Sequence, residues 1–532
     1  MKKKFFRTIY AAGAVLLVSG LTSCDTERLT DLNKNPNAIE YVIPEYSFTA
    51  AVLGSGPGQN YRALGQGLQY FSTYKEVPAT GDKFFNFSGM GSGFGVYTGQ
   101  GNRLMQLVAE IPGPEHVNKR AACEILRILA YHQQTDQVGD MPYTEAMKGL
   151  DNLKPKYDTQ KSIYAAMLTE LETALKSMDA TKANVFGNAD PYFKGDVAKW
   201  KKFGFTLMGR MGMRLSDIEP ATAKTWVEKA AAGGMMTSFG DIAYIKYANV
   251  TGQMNGRVNG MINGDFNING GDNIEGSKWA AKFIDHLKGT SDPRLPVISV
   301  VWVNAGGANY TPNNNPAVQR GMINGSINSR PADFDSYSEP SLLYLDRASP
   351  IITMGPAEAY LILAEAAARG WSVGTTAKAA YDNGVRSAME QWALWPTVAP
   401  HNPVITSAQI NAYLAANPYS TGTLAQQIEQ IATQKWVSLL GDDYEVWSDW
   451  RRTKYPVFNY KNWMVNGVPQ LYPGGVTGGK MFRRMGLPTS ERNTNLDNYL
   501  EAIKRQNFSE DNIDFLLGRM WWDVGPGTGQ SN

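Results

Sequence analysis

Apolar residues recur every three to four positions along most of this 532-residue chain, and the rhythm fails in two places: a continuous apolar run near the N-terminus and an aperiodic central stretch. The periodic segments are roughly 45–54, 61–74, 101–111, 116–137, 157–178, 197–216 and 220–233, then 356–370, 376–392, 407–416, 424–440, 443–450 and 494–505. An apolar stripe at that spacing lies along one face, so each segment is read as a helix. In 157–178 the face is Ile163, Met167, Leu168, Leu171, Ala174 and Leu175, behind a start signal at Pro155 and Asp158. In 356–370 Pro356 suits a first turn, Tyr360, Leu361, Leu363, Ala364, Ala367 and Ala368 build the stripe, and Gly370 ends it.

Between about 235 and 350 Asn-Gly recurs at 255–256, 259–260, 263–264, 269–270 and 324–325, and Gly-Met-Ile-Asn-Gly begins at both 260 and 321. Such dipeptides favour left-handed turn positions, so loops and short hairpins are expected here in place of helix. A connection of this length with little regular structure is usually functional. The fold class expected is therefore mainly α. Paired helices with small residues at their contacts, as in Ala364-Glu-Ala-Ala-Ala, resemble tetratricopeptide hairpins, which must stack to bury their faces. They are expected to pack against an irregular, loop-rich part with short β-hairpins, giving one domain over 45–532 with 235–350 as its ligand-facing insertion.

The N-terminal apolar run, Ile9 to Leu21, follows Lys2, Lys3, Lys4 and Arg7 and leads into Leu21-Thr22-Ser23-Cys24. A basic start, a short apolar stretch and small residues before the break make a signal peptide over 1–23, too short for a spanning helix. A Cys at the cleavage point resembles the lipobox of bacterial lipoproteins, so Cys24 is expected to carry lipid and 24–44, polar and aperiodic, to serve as tether and entry loop. Only two acidic residues, Asp25 and Glu27, follow Cys24 closely, with Arg28 beside them.

Losing the four basic residues of the leader leaves 47 Lys and Arg against 49 Asp and Glu. That balance argues against nucleic acid, which favours a basic partner. Beside Cys24 the chain has only Cys123, read as a small core residue. The histidines at 116, 132, 286 and 401 show no metal-ligand spacing, no Gly-x-Ser-x-Gly elbow occurs, and Gly474–Lys480 imitates a phosphate loop only until Met481. No enzyme and no cofactor are expected. One metal pattern is better: Asp265, Asn267 and Asn269 open like a calcium loop, although the twelfth position is Gly276 and Glu275 falls one residue early. In 442–452, Glu445 and Asp449 share a helix face and Arg452 follows three after Asp449, a structural ion-pair arrangement.

Several stretches together resemble the SusD/RagB family of Bacteroidetes outer-membrane nutrient-binding lipoproteins, in its second, SusD-like branch. They are Leu32–Asn37, Gly139-Asp140-Met-Pro-Tyr143-Thr-Glu-Ala146, Gly195-Asp196 with Lys199–Phe203, Met354–Tyr360 with Ala364-Glu365-Ala366, Gln434-Lys435-Trp436 and Trp447–Thr453. The resemblance implies a lipoprotein that lies as a hinged lid over a SusC-type TonB-dependent transporter and captures oligosaccharide or peptide. Asp140 and Tyr143 read as loop-fixing residues.

Family members place ligand contacts in two general regions, which here are the surroundings of the Gly- and Phe-rich loop 81–101 and the central insertion. Tyr70, Tyr74 and Tyr97 flank the first; Trp279, Trp302 and Tyr310, with Asn309 as polar helper, lie in the second. Flat rings stack on sugar C–H faces while amides bond hydroxyls, so a glycan is the first reading. A peptide-binding lid of the same family and a helical-repeat assembly lipoprotein are the alternatives.

Overall fold

The computed structural model describes residues 43–58, 60–74, 81, 93–271, 276–304, 306, 309–325, 330–459, 464–465, 468–469, 480–508 and 513–524. Cys24, the leader, most of the expected tether and the Leu32–Asn37 motif lie outside them. The principal helices are α1 (Pro44–Gly54), α2 (Gln100–Glu110), α3 (Val117–Val138), α4 (Gln160–Ser177), α5 (Val197–Arg214), α6 (Pro220–Gly233), α7 (Gly256–Gly264), α8 (Ala281–Gly289), α9 (Pro356–Ala368), α10 (Ala377–Glu390), α11 (Ser407–Ala416), α12 (Leu424–Ser438), α13 (Asp443–Thr453) and α14 (Leu496–Arg505).

Local chemistry sets their starts. Thr159, Asp196, Thr376 and Thr423 each accept a hydrogen bond from a first-turn N–H of α4, α5, α10 and α12, and Thr423 shares a capping box with Gln426. The amphipathic faces then pair consecutively, α3 with α4, α5 with α6 and α9 with α10. Ala364 and Ala366 of α9 are fully buried, as small residues at a close helix contact should be.

The strands are short: β1 (Phe71–Thr73), β2 (Ala243–Ile245), β3 (Ser277–Trp279), β4 (Ser299–Asn304), β5 (Tyr310–Asn313), β6 (Glu339–Pro340) and β7 (Ile351–Met354). Sheet order is β1-β3, β2-β7 and β5-β4-β6, with Phe71 opposite Trp279 and Trp302 opposite Pro312. Two expectations change here. Residues 61–74 are not one helix: a π-turn at Tyr61–Gly65, capped by Asn60, gives way at left-handed Gln69 to β1, because pairing with β3 outweighs the local helical period. The 235–350 segment also holds helices, α8 and, inside the Asn-Gly tract, α7, whose start is set by the Asn255 side chain accepting from the N–H groups of Arg257 and Val258.

A line of buried charges runs through the helical layer. Arg210 of α5 makes two 2.6 Å bonds to Glu358 of α9. Arg214 reaches Glu445 of α13 at 2.6 Å and Asp136 of α3 at 3.1 Å. Arg452 of α13 forks onto Glu365 of α9 at 2.6 and 2.7 Å and onto Asp449 at 2.8 Å, which also takes Lys435 of α12 at 2.9 Å. The Glu445–Asp449–Arg452 face is thus the cross-tie between hairpins that its spacing indicated.

Candidate functional site

Several residues whose types suggest ligand chemistry prove to hold the scaffold. Asp140 accepts from Gln160 N at 2.9 Å and from Arg505 at 2.8 Å, and the Tyr143 hydroxyl donates to Glu170. Both fix the loop between α3 and α4. Cys123 is fully buried, and burial raises its thiol far above the ordinary range.

Two of the aromatic contacts expected from sequence need correction. Tyr70 and Trp279 are 0% exposed. Tyr70 stacks on Trp436 at 5.2 Å, donates its hydroxyl to the Trp436 carbonyl and meets Phe283 edge-on. Trp279 stacks on Phe71 at 4.5 Å and touches the same Phe283. Trp279 on β3 and Tyr70 just before β1 both pack on Phe283 in the core, so neither presents a face to ligand. Tyr97 stands apart from the others, its hydroxyl given to the Pro142 carbonyl and its ring edge-on to Tyr131 at 5.9 Å.

The remaining residues come together. Tyr74, half-buried at the end of β1, meets Phe334 edge-on at 5.0 Å, and the Lys278 ammonium lies 4.3 Å over the Phe334 ring. Lys278 pairs with Glu339 at 2.5 Å, and Glu339 takes a hydrogen bond from Trp302. Trp302 and Tyr310, on neighbouring strands β4 and β5, share one support, the Asn269-Gly270-Gly271 turn. Gly270 has φ +81°, and a Cβ there would stand 2.4 Å from Tyr310 Cβ and 2.8 Å from Trp302 Cε3, so only glycine allows the rings this approach. Trp302 is 8% exposed, Tyr310 is half-buried, and Asn309 is exposed at the hairpin tip.

The same turn accounts for the calcium-like pattern. Asp265 is buried and accepts from Ser277 N at 3.2 Å. Asn267 accepts from Asn269 N at 3.0 Å and donates to the Gly270 carbonyl at 2.6 Å. These side chains close the turn that carries the rings, and among the described residues no group of three His, Cys, Asp or Glu converges on one point.

A second concavity was not legible in sequence. It lies where α7 and β7 face the segments after α10 and α12, with Trp392, Trp395 and Arg257 in its wall. Each is an ordinary residue in its own segment, and only the fold assembles them.

The architecture is that of a stacked helical-hairpin scaffold carrying an irregular aromatic face. The sequence profile of the SusD-like family described as "Starch-binding associating with outer membrane" matches residues 100–470, and the chain belongs to that family. A chitin-binding protein of known structure is 27% identical, with a TM-score of 0.75 over 91% of this chain and 100% of its own. A SusD homologue from Bacteroides fragilis is 23% identical, TM-score 0.73, over 90% and 100% of the two chains. A chitin-binding SusD homologue from Flavobacterium johnsoniae is 23% identical, TM-score 0.70, over 91% and 99%. Among curated protein sequences none matches.

Proposed function

We propose that this protein is a lipid-anchored protein of the outer-membrane surface that captures oligosaccharide and passes it to a SusC-type TonB-dependent transporter, acting by binding without catalysis or cofactor. Family membership supports the class, and the chitin-binding relative supports a glycan as ligand. No described helix is long and apolar enough to cross a membrane, which agrees with anchoring through Cys24. The observation that carries the site is the β4–β5 hairpin, where Tyr310, braced by Gly270 and Gly271, stands beside exposed Asn309. A half-buried ring next to an exposed amide is the combination that stacks on a sugar and bonds its hydroxyls. Tyr74 extends the same surface.

A peptide ligand would pair with a free strand edge. The outer strand of this sheet, β5, carries Pro312, which removes a donor from that edge, so glycan is preferred. Because Trp302 is largely buried in the sheet, its removal would lower stability as well as affinity, and Tyr310 is the cleaner probe. Tyr310→Ala and Asn309→Ala should weaken a bound oligosaccharide by about 1–3 kcal/mol together, with melting temperature nearly unchanged. Calorimetric titration with N-acetylchitohexaose, cellohexaose and maltohexaose measures this. Unaltered affinity for whichever sugar binds would remove the hairpin from the site.

A further inference from the structure

We propose a second saccharide-binding site, in the cleft between α7, β7 and the turns that follow α10 and α12, built for neutral sugar residues with adjacent hydroxyls. This rests on glycan being the ligand class, but it uses none of the hairpin residues.

The cleft opens to solvent and has a volume of about 70 Å³, so it admits the hydroxyl-bearing edge of one sugar residue and leaves the ring face at its mouth. One wall is aromatic. Trp392 and Trp395 lie 4.4 Å apart, centroid to centroid, at 36°, and Tyr344 backs Trp392 at 6.4 Å. Trp392 is buried while Trp395 is only half-buried, so the inner rings hold the outer one as a platform. The other wall is polar. Arg257 projects from the first turn of α7, held in register by its backbone N–H on Asn255. Its guanidinium makes one bond among the described residues, a long one of 3.4 Å from Nη1 to the Gly441 carbonyl, which leaves most of its donors without protein partners.

Asp442 sits next to Gly441 and lines the same cleft. It caps α13 by accepting from Glu445 N at 3.1 Å, and no described Lys or Arg comes within ion-pair distance of it. Burial, opposed by the more distant Arg210, pushes its carboxyl up to about 7, and burial lowers Arg257 below its ordinary value. The two walls thus offer a donor and an acceptor that are partly desolvated and attract one another through space without a direct ion pair, and Arg257 keeps donor capacity that its one long bond does not use. Two neighbouring sugar hydroxyls would answer both, one accepting from Arg257 and one donating to Asp442, while the C–H face of the ring covers Trp395. An acidic sugar fits less well, because Asp442 and the buried Asp443 beside it would face its carboxylate.

The test uses the full chain in detergent, titrated with N-acetylchitohexaose, cellohexaose and maltohexaose, and with oligogalacturonate of equal length as the acidic probe. Trp395→Ala and Arg257→Gln should each lower affinity for the bound neutral hexasaccharide about fivefold or more, or remove one binding equivalent, at unchanged melting temperature. Trp395→Phe, which keeps a ring, should retain most of the binding. Neutral-sugar affinity within about twofold of wild type in both cleft variants overturns the proposal, as does an effect confined to oligogalacturonate, or no neutral hexasaccharide bound by wild type. If Tyr310→Ala is silent while the cleft variants are impaired, the hairpin reading fails and the cleft stands; the reverse pattern leaves the hairpin alone.

Discussion

Arg452 condenses the residue-scale logic. It is buried with two carboxylates, Glu365 and Asp449, and also donates to Ser216 at 3.0 Å. Burial alone would push the Glu365 carboxyl up, but the Arg452 and Arg369 guanidiniums outweigh it and hold the group at about 2. Removing the guanidinium strands both carboxylates in a dry site, so Arg452→Ala should cost about 3–5 kcal/mol at pH 7, measured by urea unfolding. The folded-state value lies below the unfolded one, so the contribution of the pair is complete above about pH 4.5 and fades as pH falls toward 2. The penalty of Arg452→Ala should therefore shrink between pH 6 and pH 3, and a penalty constant over that range would contradict this account. These charges were readable from spacing, since positions three and four apart on a helix share a face; their partners on α5, α9 and α12 were not.

At the scale of elements, turns prove as informative as helices. The second Gly-Met-Ile-Asn-Gly begins at Gly321, which passes the start of α8 so closely that a Cβ would lie 2.4 Å from Ala281 Cα and 2.5 Å from the Ala280 carbonyl oxygen. Met322 bonds backbone to backbone with Trp279 and Ala281 on either side of that point, at 2.8 Å each. Neither partner is a flexible side-chain end, so the segment has nowhere to move. Gly321→Ala should destabilise by about 1–3 kcal/mol in thermal unfolding, the scale of an overpacked core, and an unchanged melting temperature would show that the segment yields. The first copy of the motif, at 260–264, instead ends α7. Identical five-residue strings take different structures because the capping Asn255 precedes one and a paired strand segment surrounds the other. For the same reason the periodic stretch 61–74 became turn and strand.

For the whole molecule, residues 47–532 form one compact unit in which the hairpins carry the irregular face. On the function proposed above, its hold on the membrane would fall to Cys24, whose lipid would provide the apolar area for anchoring. Cys24→Ala should yield uncleaved precursor or protein in the soluble fraction, read by fractionation and immunoblot. Undiminished membrane association would refute lipidation as the anchor.

Sequence by itself determined the helices, their pairing and the family, because each is written in local periodicity, capping residues or contiguous motifs that need no distant partner to be recognised. It also set apart the loop-rich region that carries the aromatic face, since Asn-Gly pairs favour turns over long helices. Only the tertiary structure decided which rings belong to that face. Trp279 lies on a strand too short to reveal which side is inward and Tyr70 just ahead of another, and folding buried both against Phe283, while the Gly270 turn lifted Tyr310 to the edge. The cleft was beyond sequence altogether: Arg257, Trp395 and Asp442 lie far apart along the chain, and nothing local to any of them says that chain folding brings them to the walls of one space.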